Sequence, residues 1–207
     1  MNIVYATDDN GALGTGVSIV SLMENLPPGV HVDIYIMTGG LSGDNTARFH
    51  SLQQGYNLHL HFIDMKDKYT DFPVGSKWSA ATYYRLGLAG ELPATVERAL
   101  YVDIDTIFNR DISPMYESEF GDCLIAGVFT TEDLSEESFL RWKREMNLGR
   151  DSIYINAGVI LYHIGRIREE CFESQVLSWA KNNIHRLSWQ DQDILNVCYQ
   201  QRILLLH

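Results

Sequence analysis

The chain contains no uninterrupted apolar run approaching the ~20 residues of a membrane span. Its start, Met1-Asn-Ile-Val4, has neither the basic opening nor the apolar h-region of a leader. Peripheral membrane contact is the only membrane association this composition leaves open. Cysteine is scarce: Cys123, Cys171 and Cys198 are odd in number and widely spaced, with no C-x-x-C pair of the zinc or redox kind. They are expected to be reduced core thiols of a cytoplasmic protein. Positive charge is also short, with 16 Lys and Arg against 27 Asp and Glu, a formal charge of −11, and no basic run beyond isolated pairs. This argues against nucleic acid or an anionic membrane as the main partner, and an anionic substrate would need a cation between it and this surface. Internal repeats, low-complexity tracts and linkers are missing too, since Pro27-Pro-Gly29 reads as a helix-to-strand turn. What is present is 207 residues, 45% of them apolar, enough to bury one substantial core, and a single domain over 1–207 is expected.

Residues 2–7, NIVYAT, form a β-rich run that ends in the polar Asp8-Asp9-Asn10-Gly11. From Thr15 the apolar spacing of Val17, Val20 and Leu26, with Ile19, Leu22 and Met23 beside them, turns helical. Residues 30–37 alternate strictly, with Val30, Val32, Ile34 and Ile36 on one side and His31, Asp33 and Tyr35 on the other; 58–64 repeats the pattern with Leu58, Leu60 and Phe62. Helices are predicted over 43–54 and 78–89, the latter leading into the strand before Asp103. Strands over 123–129 and 154–162, helices near 135–146 and 165–182, and a helix opened by WQDQDILNVCY from Trp189 complete the chain. Strands and helices alternating at these lengths indicate an α/β fold with a mostly parallel sheet flanked by helices. Ligands of such sheets gather at the carboxyl ends of the strands. Three such ends are polar: Asp8-Asp9-Asn10, Asp103-Ile104-Asp105 and Asn156-Ala157-Gly158.

A D-x-D pair carries little information by itself, because 15 Asp residues predict roughly one chance match and the chain has two. Position supplies the meaning. Asp103 and Asp105 follow Leu100-Tyr101-Val102, and if the strand persists through Asp105 both carboxylates point to one side of a ligand-facing rim. A divalent ion held there by oxygen atoms bridges the protein to a diphosphate; a solvated strand end is the plainer outcome. Asp8 and Asp9 are suited either to a base N–H and ribose hydroxyls or to capping the next helix. Asp191 and Asp193 sit in a first helical turn, where the dipole favours acids whatever the function. His59 and His61 flank Leu60 and form either a two-residue metal platform or, more commonly, part of a solvated face. Tyr83 and Tyr84 beside Arg85 make either an aromatic and cationic wall for a nucleotide or plain core, and Arg85 is the only arginine in residues 49–97.

Taken in order, YATDDN, the Thr82-Tyr-Tyr-Arg-Leu86 helix, LYVDIDTI, INAGVILY and QDQDILN closely resemble family-8 retaining glycosyltransferases, over Met1 to about Asn196. That group includes bacterial lipopolysaccharide α-galactosyl- and α-glucosyltransferases and, more distantly, glycogenin and galactinol synthase. The resemblance implies a Rossmann-like nucleotide-diphospho-sugar transferase fold of the GT-A type, a UDP-hexose donor, Mn²⁺ with Mg²⁺ as the alternative, and transfer with retention to a glycan acceptor such as lipopolysaccharide. It implies that Ala6, Asp8 and Asn10 hold uracil and ribose, that Arg85 contacts the donor, and that Asp103 and Asp105 bind metal and diphosphate. Asn156 and Ala157 would lie along the donor sugar, Asp191 would hold its hydroxyls, and Gln192 would stand near the anomeric carbon. An amide is a poor nucleophile, so Gln192 in that place favours attack on the face that UDP leaves over a covalent intermediate.

The sequence also departs from the family pattern. It has no H-x-x-G-x-x-K-P-W-like segment, the implied source of a third metal ligand, so the chain is expected to lack the usual C-terminal part, and with it any membrane contact that part makes at the inner face. Gly11 replaces an aromatic residue that often stacks on uracil, and the acid expected after the fifth strand is Thr130, or is displaced to Glu132 or Asp133. Two rivals remain. DIDTI also reads as the D-x-D-x-T of haloacid-dehalogenase-like phosphatases, with Thr130 or Thr131, Lys143 and Asp191 or Asp193 in the later roles. The other is a catalytically silent nucleotide-sugar binding module.

Overall fold

A computed structural model describes residues 1–72, 80–130, 137–149 and 151–206. In chain order the elements are β1 (Asn2–Ala6), α1 (Ala12–Asn25), β2 (Val32–Thr38), α2 (Gly43–Gly55), β3 (Leu58–Asp64), α3 (Ala81–Tyr84), a 3₁₀ turn (Arg85–Gly87) and α4 (Leu88–Glu91). There follow β4 (Ala99–Val102), α5 (Ser113–Tyr116), β5 (Ile125–Phe129), α6 (Glu137–Glu145), β6 (Ile155–Tyr162), α7 (Ile164–Glu169), α8 (Phe172–Asn183), a 3₁₀ turn (Ile184–Arg186), α9 (Gln190–Cys198) and β7 (Ile203–Leu205). No helix of the described residues is long and apolar enough to cross a membrane.

Among the described residues the strands form one seven-stranded sheet in the order β3-β2-β1-β4-β6-β5-β7. Strands β1 to β4 pair in parallel, β7 is parallel to β5, and β6 alone runs against its neighbours β4 and β5. The expectation of a mostly parallel sheet holds. One detail is corrected: Asn156-Ala157-Gly158 lies at the beginning of β6, not at a strand's carboxyl end. Because β6 is antiparallel, with Val159 opposite Val102, its beginning still reaches the rim where β4 ends.

Period-two alternation sorts the strand side chains between two cores. Ile3, Tyr5, Ile34, Ile36, Leu100 and Val102 pack with Ala12, Ile19 and Leu22 of α1 and Phe49 of α2, whereas Val4, Met37, Tyr101 and Ile160 pack with Tyr83, Leu88, Val176 and Leu195 on the opposite face. The buried stripe of α1 is thus Ala12, Thr15, Ile19 and Leu22, and Val17, expected within the apolar spacing, is 48% exposed. The helix begins at Ala12, three residues earlier than its periodicity suggests, because Gly11 and Gly14 let it press against the turn after β4. A Cβ on Gly11 would stand 2.6 Å from Ile104 Cδ1 and from Thr7 Oγ1, and one on Gly14 would stand 3.0 Å from the Ile104 carbonyl oxygen. A side chain at position 11 would have to displace the Ile104 and Thr7 side chains.

Other boundaries shift for local reasons. The helix predicted over 78–89 is helical from Ala81 to Glu91 in three short pieces, and its first residues lie outside the described ones. The helix predicted over 165–182 divides at Cys171, whose φ of 51° is left-handed and stops the ladder. All three cysteines are free as expected, but only Cys198 packs against the core; Cys123 is half-buried and Cys171 is exposed.

Candidate active site

The end of β4, the beginning of β6 and the first turn of α9 converge on Arg85. Its guanidinium, 6% exposed, lies over the Tyr101 ring at 4.3 Å from the centroid. Nη2 donates to Asp103 Oδ1 (2.7 Å), Nη1 donates to the Ala157 carbonyl (2.7 Å), and Nε donates to the Thr82 carbonyl (3.1 Å) and lies 3.0 Å from Asp191 Oδ2. One cation therefore holds two carboxylates from distant parts of the chain. The short helix around it is anchored by Tyr83 and Tyr84, both buried in the core on one face of the sheet. They are core residues and not an exposed wall.

Asp103 follows β4 directly. Its N–H donates to the Gly158 carbonyl (2.7 Å), and its own carbonyl accepts from Thr106 N–H (3.1 Å), closing a turn. The strand stops at Val102, so the alternation expected to reach Asp105 does not; Asp105 sits in the turn and is exposed. Asp103 Oδ1 accepts from Arg85 and from the Tyr101 hydroxyl (3.1 Å), while Oδ2 accepts no hydrogen bond among the described residues. Oδ2 faces Gly158, where an added Cβ would come within 2.9 Å of it and within 2.9 Å of Asn156 Oδ1. A half-exposed carboxylate oxygen and a neighbouring exposed carboxylate form a hard oxygen donor set, which suits a divalent cation.

The helix α9 brings Asp191 and Gln192 to the same place. Asp191 is buried, and burial pushes its carboxyl up to about 6; Arg85 pulls the other way, and the charges of Asp103 and Asp193 add to the rise. Gln192 Oε1 accepts from the Ala157 N–H (3.0 Å), leaving its amide N–H groups without a partner among the described residues. Asn196, one turn later, accepts from Ile155 N–H (2.7 Å) and donates to the Ile155 carbonyl (2.9 Å), pinning α9 to β6. Asp193 does more than favour the helix dipole: Oδ1 accepts from the Tyr154 hydroxyl (2.5 Å) and Oδ2 accepts from the N–H groups of Ser188 and Trp189 (2.7 and 2.8 Å). Gln190 opens the helix at φ 45°, with its side chain accepting from the Tyr83 hydroxyl (2.7 Å). Sequence reading passed over Tyr101, Tyr154 and Asn196; the i to i+4 spacing of Gln192 and Asn196 was the one local signal of the last.

Ala6, the last residue of β1, is buried, and Asp8 and Asn10 just beyond it are exposed at the same rim. Asp8 Oδ1 accepts from Gly11 N–H (2.9 Å) in a tight turn. Asp9 Oδ1 accepts from Ser42 N–H (2.7 Å) and Asn45 Nδ2 (2.8 Å), bonds that hold its carboxyl below the usual range and engage it with the start of α2. Asp9 does not cap the next helix, α1, whose start carries no side-chain cap; it ties the turn after β1 to α2 instead. Asn156 is exposed, and its Oδ1 accepts from Gly158 N–H (2.7 Å). Thr130 is buried, and Thr131, Glu132 and Asp133 lie outside the described residues. Lys143 donates to the Ser152 carbonyl (3.0 Å) and lies over Phe139. His59 and His61 are on β3, at the far edge of the sheet from this site.

Known proteins resemble this chain in sequence and fold. At 27% identity the whole chain aligns with 60% of the lipopolysaccharide 1,2-glucosyltransferase of Escherichia coli K12. With the lipopolysaccharide 1,3-galactosyltransferase of Salmonella typhimurium it is 29% identical across 95% of this chain and 58% of that protein. It thus spans about three fifths of the length of these curated relatives. The crystal structure of the galactosyltransferase LgtC in complex with donor and acceptor sugar analogs superposes on all of this chain and 73% of its own, with a TM-score of 0.87 at 25% identity. Such neighbours define the fold as GT-A, and the match runs from the first strand onward, covering YATDDN, for which a phosphatase reading of DIDTI has no role. The profile of Glycosyl transferase family 8 matches residues 2–207, and the chain belongs to that family.

Proposed function

We propose that the chain is the donor-binding, catalytic part of a retaining hexosyltransferase, moving galactose or glucose from a UDP-sugar to a glycan acceptor, lipopolysaccharide or another bacterial surface glycan. The observation that carries this reading is the Arg85 junction, which holds Asp103 of the D-x-D turn and Asp191 of α9 on one guanidinium. Asp103 Oδ2 and Asp105 would hold Mn²⁺, with Mg²⁺ as the alternative. When bound, the ion would neutralise charge that grows on the diphosphate as UDP departs.

The chain's own residues supply the rest. Ala6, Asp8 and Asn10 border the uracil and ribose, and Asn156 and Ala157 line the sugar. Asp191, as carboxylate, accepts hydrogen bonds from sugar hydroxyls, and its fixed orientation positions the anomeric carbon. Arg85 holds the two aspartates and lends positive potential to the leaving group, and the second N–H of each terminal nitrogen, with no protein acceptor among the described residues, is left to contact the donor. Gln192, tied through Oε1 to Ala157, presents amide N–H groups and no nucleophilic carboxylate, which supports attack on the face UDP vacates.

The test is release of UDP from UDP-galactose and UDP-glucose by the purified chain, with Mn²⁺ or with chelator, and with a deacylated lipopolysaccharide core as acceptor. Metal-dependent release from one of the two donors is expected, and its loss in Asp103→Asn. Tight UDP binding without release would favour the silent binding module instead.

A further inference from the structure

The histidines expected on a solvated face are joined by a carboxylate. In the parallel register of β2 and β3, Asp33 lies opposite His59 and Tyr35 opposite His61, and alternation puts His31, just before β2, on the same face. Ligand atoms of His31, Asp33 and His59 all lie within 4.8 Å of one another, the only such group of three among the described residues, and β3 is the edge of the sheet.

The hydrogen bonds around His31 determine which of its nitrogens carries the proton. Asn57 Nδ2 donates to the carbonyls of Gly29 (3.4 Å) and Val30 (3.2 Å), which turns Asn57 Oδ1 toward the imidazole. His31 Nδ1, 3.1 Å from that oxygen, is therefore the N–H that donates. In neutral His31 the lone pair then sits on Nε2, which faces Asp33 Oδ2 at 3.7 Å. Two acceptors face each other with nothing shared between them, and a cation is the missing partner. The other oxygen of Asp33 is already held: His61 Nε2 lies 2.9 Å from Oδ1, with the His61 ring stacked on Tyr35 at 4.7 Å. A carboxylate oriented by one histidine and flanked by two more, with the ligand tautomer set by an outer amide, is the way imidazole metal sites are supported.

We propose that His31 Nε2, Asp33 Oδ2 and His59 bind a borderline divalent transition-metal ion of the zinc class, at a site separate from the D-x-D turn. Imidazole donors favour zinc, nickel or cobalt over magnesium or manganese, the reverse of the all-oxygen set at Asp103 and Asp105. Ligands at 2.0–2.2 Å from a tetrahedral ion stand about 3.4 Å apart, so closure from within 4.8 Å asks for at most about 1.4 Å of movement, from the exposed His31 and His59 and the half-buried Asp33. The ion would clip edge strand β3 to β2.

The experiment is Zn²⁺ titration of the intact chain carrying Asp103→Asn/Asp105→Asn, by calorimetry and by dialysis with metal analysis, which removes the other carboxylate pair from the count. About one Zn²⁺ per chain is expected. Adding His59→Ala or Asp33→Asn should weaken binding roughly tenfold or more, and His50→Ala, exposed on α2, should leave it unchanged. Saturating Zn²⁺ should raise the melting temperature by roughly 5–10 °C in the first protein and not in the His59→Ala form. Circular dichroism and melting in chelator verify that each variant is folded. No Zn²⁺ uptake, or uptake equal in His59→Ala, would overturn the proposal and leave a proton on His31 as the cation that joins the pair.

Discussion

Arg85 Nε lies 3.0 Å from Asp191 Oδ2, while Nη2 of the same guanidinium lies 2.7 Å from Asp103 Oδ1. The turn after β4 and the first turn of α9, 88 positions apart in the numbering, therefore answer to one buried charge. Removing that charge strands two carboxylates.

Arg85→Met should lower stability by about 3–5 kcal/mol, the cost of leaving buried charge unpaired. Arg85→Lys, which keeps the charge but lacks the fork that reaches both partners, should fall between the two. Urea unfolding at neutral pH measures this. A loss below about 1 kcal/mol for Met would show that the junction is not a stabilising pair.

Gly158→Ala places a methyl group 2.9 Å from Asp103 Oδ2 and from Asn156 Oδ1. The expected result is a folded protein, destabilised by about 1–3 kcal/mol, whose metal-dependent UDP affinity drops roughly tenfold, a difference of 1.4 kcal/mol. Calorimetry on the variant gives both the affinity and the metal dependence.

Asp191 predicts a pH dependence whose sign follows from burial. Its carboxyl is raised in the folded state to about 6 from an ordinary value of 3.8. The native state keeps this proton over a range where the unfolded chain has released it. Stability from this group is therefore highest below about pH 4 and declines as pH rises to about 6, by about 2–3 kcal/mol in all. The stability of wild type relative to Asp191→Asn should increase as pH falls from 7 to 4. Turnover needs the carboxylate and should rise with pH through about 6, at a lower pH once a cation neutralises Asp103. A wild-type stability difference that stays flat over that range would remove Asp191 as the titrating group.

Tyr154→Phe removes the hydroxyl that donates to Asp193. An under-satisfied buried carboxylate costs about 1–3 kcal/mol, and the loosened start of α9 should slow kcat roughly tenfold. KM for the donor should change little, since the hydroxyl lost is the one bonded to Asp193, which is not among the groups assigned to the donor. Equal losses in kcat and in UDP binding would point to general unfolding of the site instead.

The strands were legible because their alternation is local: Val32, Ile34 and Ile36 announce β2 whatever lies around them. The rim position of Asp103 was legible for the same reason. The direction of β6 was not, because YINAGVILY is apolar throughout and says nothing about which way its neighbours run. Nor was β7, three residues whose pairing with β5 is entirely long-range. Asp191 and Gln192 stood out in the sequence through family resemblance and not through spacing, while the clasp that orients them, Tyr154 to Asp193 and Asn196 to Ile155, joins positions about forty apart. Arg85 was conspicuous as an isolated arginine, but only the folded chain shows that its nitrogens are all directed at protein oxygens. The His31–Asp33 contact needed the side-chain amide of Asn57, which no pattern in β2 or β3 contains.

The central claim is that Asp103 and Asp105 hold a divalent ion through which this chain binds UDP. Calorimetric titration of UDP into the chain, with Mn²⁺ or with chelator, and into Asp103→Asn/Asp105→Asn, tests it most directly. The account predicts binding with Mn²⁺, none with chelator, and none in the folded double variant. UDP binding of equal strength in chelator, or undiminished in the double variant, would contradict it.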